Sequence, residues 1–598
     1  VRGSANGPSM DDLFVDGLND LFSSLFGGGT GFGGGGRRGR RAGGSGRHDA
    51  ERRALETARA AAREGEGTMR RWNGWGDDTV SASLPSRATE ALSAWVGPGT
   101  RPRDATREEA LAPVPASRLA PRDGLSTDPW ERLLHARGQS LPDWIALRSG
   151  RVGAVPDAVA FPESTDAVAA LLAWAKESGA RLIPYGGGTS VAGHVNPHAS
   201  DSPVVTVDLS RLSRLLALDE TSRLATFGAG VKGPDLEAAL RAHGFTLGHF
   251  PQSFELSTLG GWVATRSSGQ QSLGYGRIER LFAGGRVETP SGRLDLPSFP
   301  ASAAGPDLRE LVLGSEGRLG VLTEGTVRVS PLPAKEEVHG VFLPDLPSAV
   351  SAVRELIAMR LPLSMLRLST PEETRTTLLL AGHARLVRAL EAYLSFRGAK
   401  DEKCLLLLGV SGSENLVRQT RRQALGTLAM RGGVAAGKAF GREWHRNRFR
   451  APYLRNSLWE AGWAVDTLET AAPWSRVPAL LSSVGAALRT GLEAEGEKVH
   501  VFTHLSHVYL DGSSLYTTYL FRAAPDPDVT LARWRRLKTA ASEAIVAGGG
   551  TISHQHGVGA DHAPWLGAEK GELGLRAIRD VLRSFDPDGL MNPGKLLP

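Results

Sequence analysis

RLIPYGGGTS, Arg181–Ser190, decides the reading: an apolar, β-like run empties into three consecutive glycines and two hydroxyls. Glycine has no Cβ and tolerates positive φ, so such a turn lets backbone N–H groups approach a phosphate closely. Two turns of the same make follow, PQSFELSTLGGWVATRSSG (Pro251–Gly269) and GSEGRLGVLTE (Gly314–Glu324). Three of them in one stretch point to a single large phosphate-bearing ligand held from several sides, rather than to one mononucleotide loop. In the first turn Gly186, Gly187 and Gly188 offer N–H groups to a diphosphate, Thr189 and Ser190 add hydroxyls, and Pro184 and Tyr185 close the strand beneath. Ser253, Ser257, Thr258 and Gly261, with Gln252 before them, repeat those donor types in the second.

Outward from this stretch, residues 152–333 read as one unit. DAVAALLAWAKESG carries apolar residues every three to four positions, an amphipathic helix. SPVVTVDLS and RLATFGAGV read as strands, and DLEAALRAHG as a helix closed by Gly244. The G-x-G-x-x-G fingerprint of a doubly wound dinucleotide fold is absent, so the class expected is α+β. Residues 334–550 read as a second α+β domain of repeated strand–helix–turn units, with HVFTHLSHVYLDGSSLYTTYLFR as two strands around Asp511–Gly512. Residues 551–598 form a closing segment, helical from Gly571 to Phe585. Ahead of the core, residues 69–151 are an ordered, partly helical segment, in which DPWERLLHARGQSLPDWIALRSG reads as a helix followed by a turn. Residues 1–68 read as a disordered Gly/Arg-rich tail with a short amphipathic helix at Met10–Phe26.

Hydrophobic residues are 41% and charged residues 22% of the chain, a globular composition. A single cysteine, Cys404, excludes an internal disulfide and a cysteine-built metal cluster. Much of the basic clustering sits at Arg37, Arg38, Arg40 and Arg41 and reads as a solvated tail, so no nucleic-acid partner is expected. No apolar run reaches the length of a bilayer span.

RWNGWG (Arg71–Gly76), PYGGGTSVAG, FELSTLGGWVATRSSG, ETAAPWSRV (Glu469–Val477) and SHQHGVG (Ser553–Gly559) together resemble the vanillyl-alcohol-oxidase-type flavoproteins, and within them the alkyldihydroxyacetonephosphate synthase family. The resemblance runs from about Met69 to Pro598. It implies a PCMH-type FAD-binding domain, a ferredoxin-like α+β cap, helical N- and C-terminal segments, and FAD held non-covalently. By the same resemblance Thr265, Arg266, Ser267 and Ser268 become further flavin contacts, and Glu316, Gly317, Leu319, Gly320 and Val321 the adenosine-side contacts. Residues 69–151 would wrap the flavin domain and help form a lipid tunnel. Tyr516 falls where the family has its catalytic tyrosine, Arg455 where it binds substrate, and Arg367 at a second functional arginine; His554 and His556 would handle protons. A phenol is a base only if a neighbour lowers its pKa from about 10. A guanidinium suits a phosphate because its donors form a planar fork.

The chain departs from the family in three places. Gln252 stands where an acidic residue is frequent; His194 lies near the first loop, where some relatives bond flavin covalently, and reads as coincidence; and Gln555 interrupts the family's three consecutive histidines. Related hydroxy-acid dehydrogenases place a metal-binding glutamate at the position of Gln555, and a neutral amide is a poor substitute, so no metal is expected. The reaction implied is exchange of the acyl chain of acyl-dihydroxyacetone phosphate for a fatty alcohol. The alternatives are an FAD-linked oxidase or dehydrogenase of a hydroxy acid or alcohol, and a flavin-binding protein without activity. A small lipid or hydroxy-acid substrate, a homodimer and a cytoplasmic location with peripheral membrane contact complete the expectation.

Overall fold

The computed structural model describes residues 70–80, 84–380 and 384–597; the helix expected at Met10–Phe26 lies outside them. The run into the first glycine turn is a strand, Arg181–Tyr185, at the edge of a sheet ordered Leu125–Ser126, Ala158–Ala160, Val204–Asp208, Arg181–Tyr185. Its last three strands are parallel. Parallel strands need cover, and the helix Thr165–Ser178 supplies it, packing Val168, Leu172 and Ala175 against Leu182, Val205 and Val207. Ser164 caps this helix through the N–H of Ala167, and Gly179 ends it at φ 71°.

A second, antiparallel sheet is ordered Leu215–Asp219, Leu224–Gly228, Val321–Arg328, Phe282–Thr289, Gly292–Leu296. The third is antiparallel and seven-stranded: Val434–Ala435, Lys335–Leu343, Cys404–Gly412, Leu363–Ser369, His500–Leu505, Gly512–Arg522, Trp463–Pro473. Helices Leu346–Ala358, Glu414–Met430, Val477–Thr490 and Pro527–Ala547 bury one of its faces in the main core. Side chains alternate along a strand, so Leu515, Tyr519 and Phe521 enter that core while Tyr516, Thr518 and Leu520 face a cavity. Leu406 and Leu408 against Leu405 and Leu407 divide in the same way.

Three local readings change. DPWERLLHARGQSLPDWIALRSG is two helices, Pro129–Leu134 and Leu141–Ser149, because Ser140 and Asp143 form a capping box and Pro142 favours a new first turn. The turn expected at Asp511–Gly512 is a wider connection over 506–511, tied by Tyr509 N–H to Gly512 O (2.9 Å) and Ser514 N–H to His507 O (2.8 Å). The closing helix begins earlier, at Leu566, and is broken at Gly571 (φ 64°, ψ 171°). Beyond it the chain returns to the first sheet: Leu182 N–H donates to Leu590 O and Asn592 N–H to Leu182 O.

Candidate functional site

The three sheets enclose a cavity of about 700 Å3. Of the first turn, all of Pro184 to Ser190 line it. The N–H groups of Gly186, Gly187, Gly188 and Thr189 find no acceptor among the described residues, leaving four consecutive donors for an anion. Gln252, Ser253, Ser257, Thr258, Gly261, Thr265, Ser267 and Ser268 line it from the second turn, and Glu316, Gly317, Leu319 and Gly320 from the third. Arg266 and Val321 do not. Arg266 turns outward to Glu310 (2.6 Å), and Val321 is buried in the core under the parallel sheet.

The glycines matter for a reason beyond the one expected. A Cβ on Gly187 would stand 1.8 Å from Leu256 O, and one on Gly186 2.3 Å from Thr258 Oγ1. These two residues let the first turn press against the second, which closes the cradle; a Cβ on Gly187 would strike protein before it could crowd a diphosphate. His194 is also part of the wall, with Nδ1 2.7 Å from Ser190 Oγ and Nε2 3.3 Å from Glu316. Asn592 joins it from the C-terminal segment, donating to the carbonyls of His194 and Glu316 while its own Oδ1 is left without a partner.

On the opposite wall Tyr516, Arg455, Arg367 and His556 converge. Arg455 sits on the helix Ala451–Glu460, donates to Gln139 O (2.5 Å) and lies over the Trp144 ring at 4.4 Å. Its Nε and one terminal nitrogen are buried without a hydrogen-bond partner. Burial pushes this guanidinium below its ordinary pKa, with Asp466 and Asp143 opposing. Arg367 is less free: it pairs with Glu373 and reaches His504 Nδ1 at 3.3 Å. Tyr516 donates to Thr467 Oγ1 (3.1 Å) and stacks on His504 at 5.1 Å. Burial pushes its phenol up to about 12, so no neighbour turns it into a resting base. His554 does not line the cavity. It lies behind the wall, its Nε2 2.6 Å from both Arg277 and the Tyr509 hydroxyl.

Past Arg455 the cavity becomes apolar. Leu458, one turn along the same helix, joins Leu84, Leu92, Trp95, Val465, Phe502 and Leu520 in a cluster that also lines the cavity. The helix Ser86–Val96, from the N-terminal segment, closes this arm. Sequence reasoning missed His504, Glu373, Glu469 and Asn592. The alternation that put Tyr516 on a face would have found two of them, since His504 and Glu469 pair with Tyr516 across neighbouring strands.

The residues fit a flavin dinucleotide: a row of free N–H groups for the diphosphate and unpartnered polar atoms on Asn592 and Gln555. Among the described residues no group of three or more His, Cys, Asp or Glu side chains is arranged to hold a metal, and no helix is long and apolar enough to cross a membrane. The FAD binding domain family matches residues 156–295, and the family of FAD linked oxidases, C-terminal domain, matches residues 332–596. Alkyldihydroxyacetonephosphate synthase of Dictyostelium discoideum is 31% identical over 74% of this chain and 73% of its own length; that of Trypanosoma brucei brucei is 30% identical over the same shares. Mitochondrial D-lactate dehydrogenase [cytochrome] of Arabidopsis thaliana is 26% identical over 74% and 73%. A solved alkyldihydroxyacetonephosphate synthase superposes with TM-score 0.76 at 28% identity, covering 88% of this chain and 98% of that one. A 4-ethylphenol oxidase from Gulosibacter chungangensis shares the fold, with TM-score 0.62 at 15% identity over 83% and 99%.

Proposed function

The chain belongs to the alkyldihydroxyacetonephosphate synthase family of FAD-dependent enzymes, and from that premise we propose that it exchanges the acyl chain of acyl-dihydroxyacetone phosphate for a fatty alcohol. One observation carries the choice of substrate. A buried arginine with two nitrogens free of hydrogen bonds, one of them 4.0 Å from Asp466, opens within one helical turn onto an apolar arm. A small hydroxy acid has a charge for the first and nothing for the second.

When bound, FAD supplies the electrophilic ring at which the ketone phosphate is held during exchange. The chain's residues do the rest. The N–H groups of Gly186 to Thr189 hold the diphosphate. The Arg455 fork holds the substrate phosphate, in a site where low dielectric strengthens the pair. Leu92, Trp95, Phe502 and Leu520 exclude water from the alkyl chain. Tyr516 keeps its proton through neutral pH and donates it to the reacting oxygen once its hydroxyl turns from Thr467, leaving His556 to accept protons. FAD is held non-covalently on this reading, with His194 Nδ1 engaged by the Ser190 hydroxyl and Nε2 set beside the Glu316 carboxylate; acid precipitation should release all the flavin into the supernatant.

The test pairs two measurements on the purified protein: incorporation of labelled fatty alcohol into acyl-dihydroxyacetone phosphate, and anaerobic bleaching of the flavin by a panel of hydroxy acids. Incorporation without bleaching is expected. Bleaching without incorporation would give the protein to the oxidoreductase side of the family.

A further inference from the structure

Glu469 is almost wholly buried behind the cavity wall, on the strand Trp463–Pro473. Its Oε1 accepts the backbone N–H groups of Gln555 and His556, each at 2.7 Å, and the Ser553 hydroxyl at 3.1 Å. These bonds fix the carboxylate between two imidazoles. His554 Nδ1 stands 3.4 Å from Oε2, neither atom being taken by another hydrogen bond, and His556 Nδ1 stands 3.6 Å from Oε1. The far nitrogen of His554 settles its tautomer. Arg277 can only donate, so His554 Nε2 accepts from it and the neutral ring carries its hydrogen on Nδ1, facing Glu469.

We propose that Glu469 is a positioning residue that favours the Nδ1–H form of both histidines, by its free Oε2 facing His554 and by its negative charge beside His556 Nδ1. His556, the one of the two that lines the cavity, then presents Nε2 as a proton acceptor, and the imidazolium formed there is paired in place. An imidazole oriented by a buried carboxylate is a recurrent solution to this problem.

The role of His556 rests on the exchange reaction proposed above; the tautomer assignment does not. In that exchange the O–H bond of the entering alcohol breaks and its oxygen bonds to the ketone-phosphate carbon, while the bond from that carbon to the acyl oxygen breaks. His556 Nε2 holds one proton between these events, and the proton leaves with the fatty acid. No electrons are gained or lost overall.

Burial alone would raise the Glu469 carboxyl, but the His556 and His554 imidazoles and the Gln555 N–H hold it well below the usual carboxylate range. Tyr516, His507, Tyr509 and His562 also face this carboxylate. His556 is lowered by burial, with Lys538 and His194 adding to the effect and Glu469 and Asp466 opposing it.

The experiment uses the holoenzyme labelled with 15N-histidine, its signals assigned through His554→Gln and His556→Gln. Both rings should show a protonated Nδ1 and a bare Nε2. Glu469→Gln should keep the flavin spectrum, move His556 toward the Nε2–H form, and lower the exchange rate by about 10²-fold or more with KM for the acyl ketone phosphate unchanged. A wild-type His556 protonated on Nε2 overturns the proposal, as does a Glu469→Gln protein with unaltered tautomer and rate. Should the variant fail to fold, the wild-type spectrum decides alone. Nδ1–H rings in a wild-type enzyme that performs no exchange would remove the reaction and leave the tautomer assignment supported.

Discussion

Arg455 shows how one side chain's surroundings define a task. A guanidinium covered by Trp144, hydrogen-bonded once to Gln139, 4.0 Å from Asp466 and left with two buried nitrogens lacking hydrogen bonds has donors to spare for an anionic substrate. Arg455→Lys keeps the charge and loses the fork, so binding of the phosphate substrate should weaken by roughly 10- to 100-fold while flavin affinity holds; titration followed by flavin absorbance reads both. Asp561 is a second residue with a measurable cost. Burial pushes its carboxyl up to about 7, against the pull of Lys538, and its Oδ2 lacks a partner. Between about pH 4 and 7 the unfolded chain releases this proton while the folded chain keeps it, so stability falls as pH rises through that window. Asp561→Asn should therefore raise the Tm at pH 8 and change it little at pH 4, by about 2–4 °C for each kcal/mol recovered in a mid-sized domain; thermal scans at the two pH values decide it.

Two elements shape the ends of the cavity, and each depends on a contact that local sequence does not reveal. The first glycine turn works because it lies on the second. Gly187→Ala would drive a Cβ into Leu256 O, and overpacking of about 1–3 kcal/mol is the expected scale. The protein should then purify with little flavin, visible as lost absorbance, with the cap sheet unaffected. The helix Ser86–Val96 closes the apolar arm with Ala88, Leu92 and Trp95. Ala88→Leu adds carbon atoms to that arm and should shift preference toward shorter alcohols. The discrimination should be about fourfold for each methylene excluded, since one buried CH₂ is worth about 0.8 kcal/mol. Rates across a series of chain lengths would show the shift; an unchanged optimum would mean that the chain lies elsewhere.

At the scale of the molecule, the cavity is where the three larger sheets meet, and its walls come from segments hundreds of residues apart. Pro184 to Ser190, Tyr516 and Asn592 have no other reason to be neighbours. A ligand that spans such a junction stabilises it by binding only the folded chain. Removing FAD should lower the Tm, and restoring it at a hundred times its Kd should return about 2.7 kcal/mol. A melting curve indifferent to FAD would mean that FAD does not bind the folded chain in preference to the unfolded one.

Local chemistry determined a large part of this protein. Glycine and hydroxyl turns at strand ends announced a phosphate-bearing ligand, because only those residues allow close backbone approach, and long runs of matching motif identified an FAD enzyme of one family. Alternation along HVFTHLSHVYLDGSSLYTTYLFR carried enough information to put Tyr516 on one face. Tertiary structure alone decided which of these residues meet. His554 and His556 are two positions apart, yet only His556 lines the cavity, since Glu469 from a distant strand takes up the turn between them. Arg266 sits beside cavity-lining serines and points away, its backbone at φ 53°. Gly187 proved to be required by a carbonyl of the next loop. Spacing along a chain encodes which face a side chain occupies; what stands opposite that face, and whether a buried nitrogen finds a partner there, depends on how separate sheets come together.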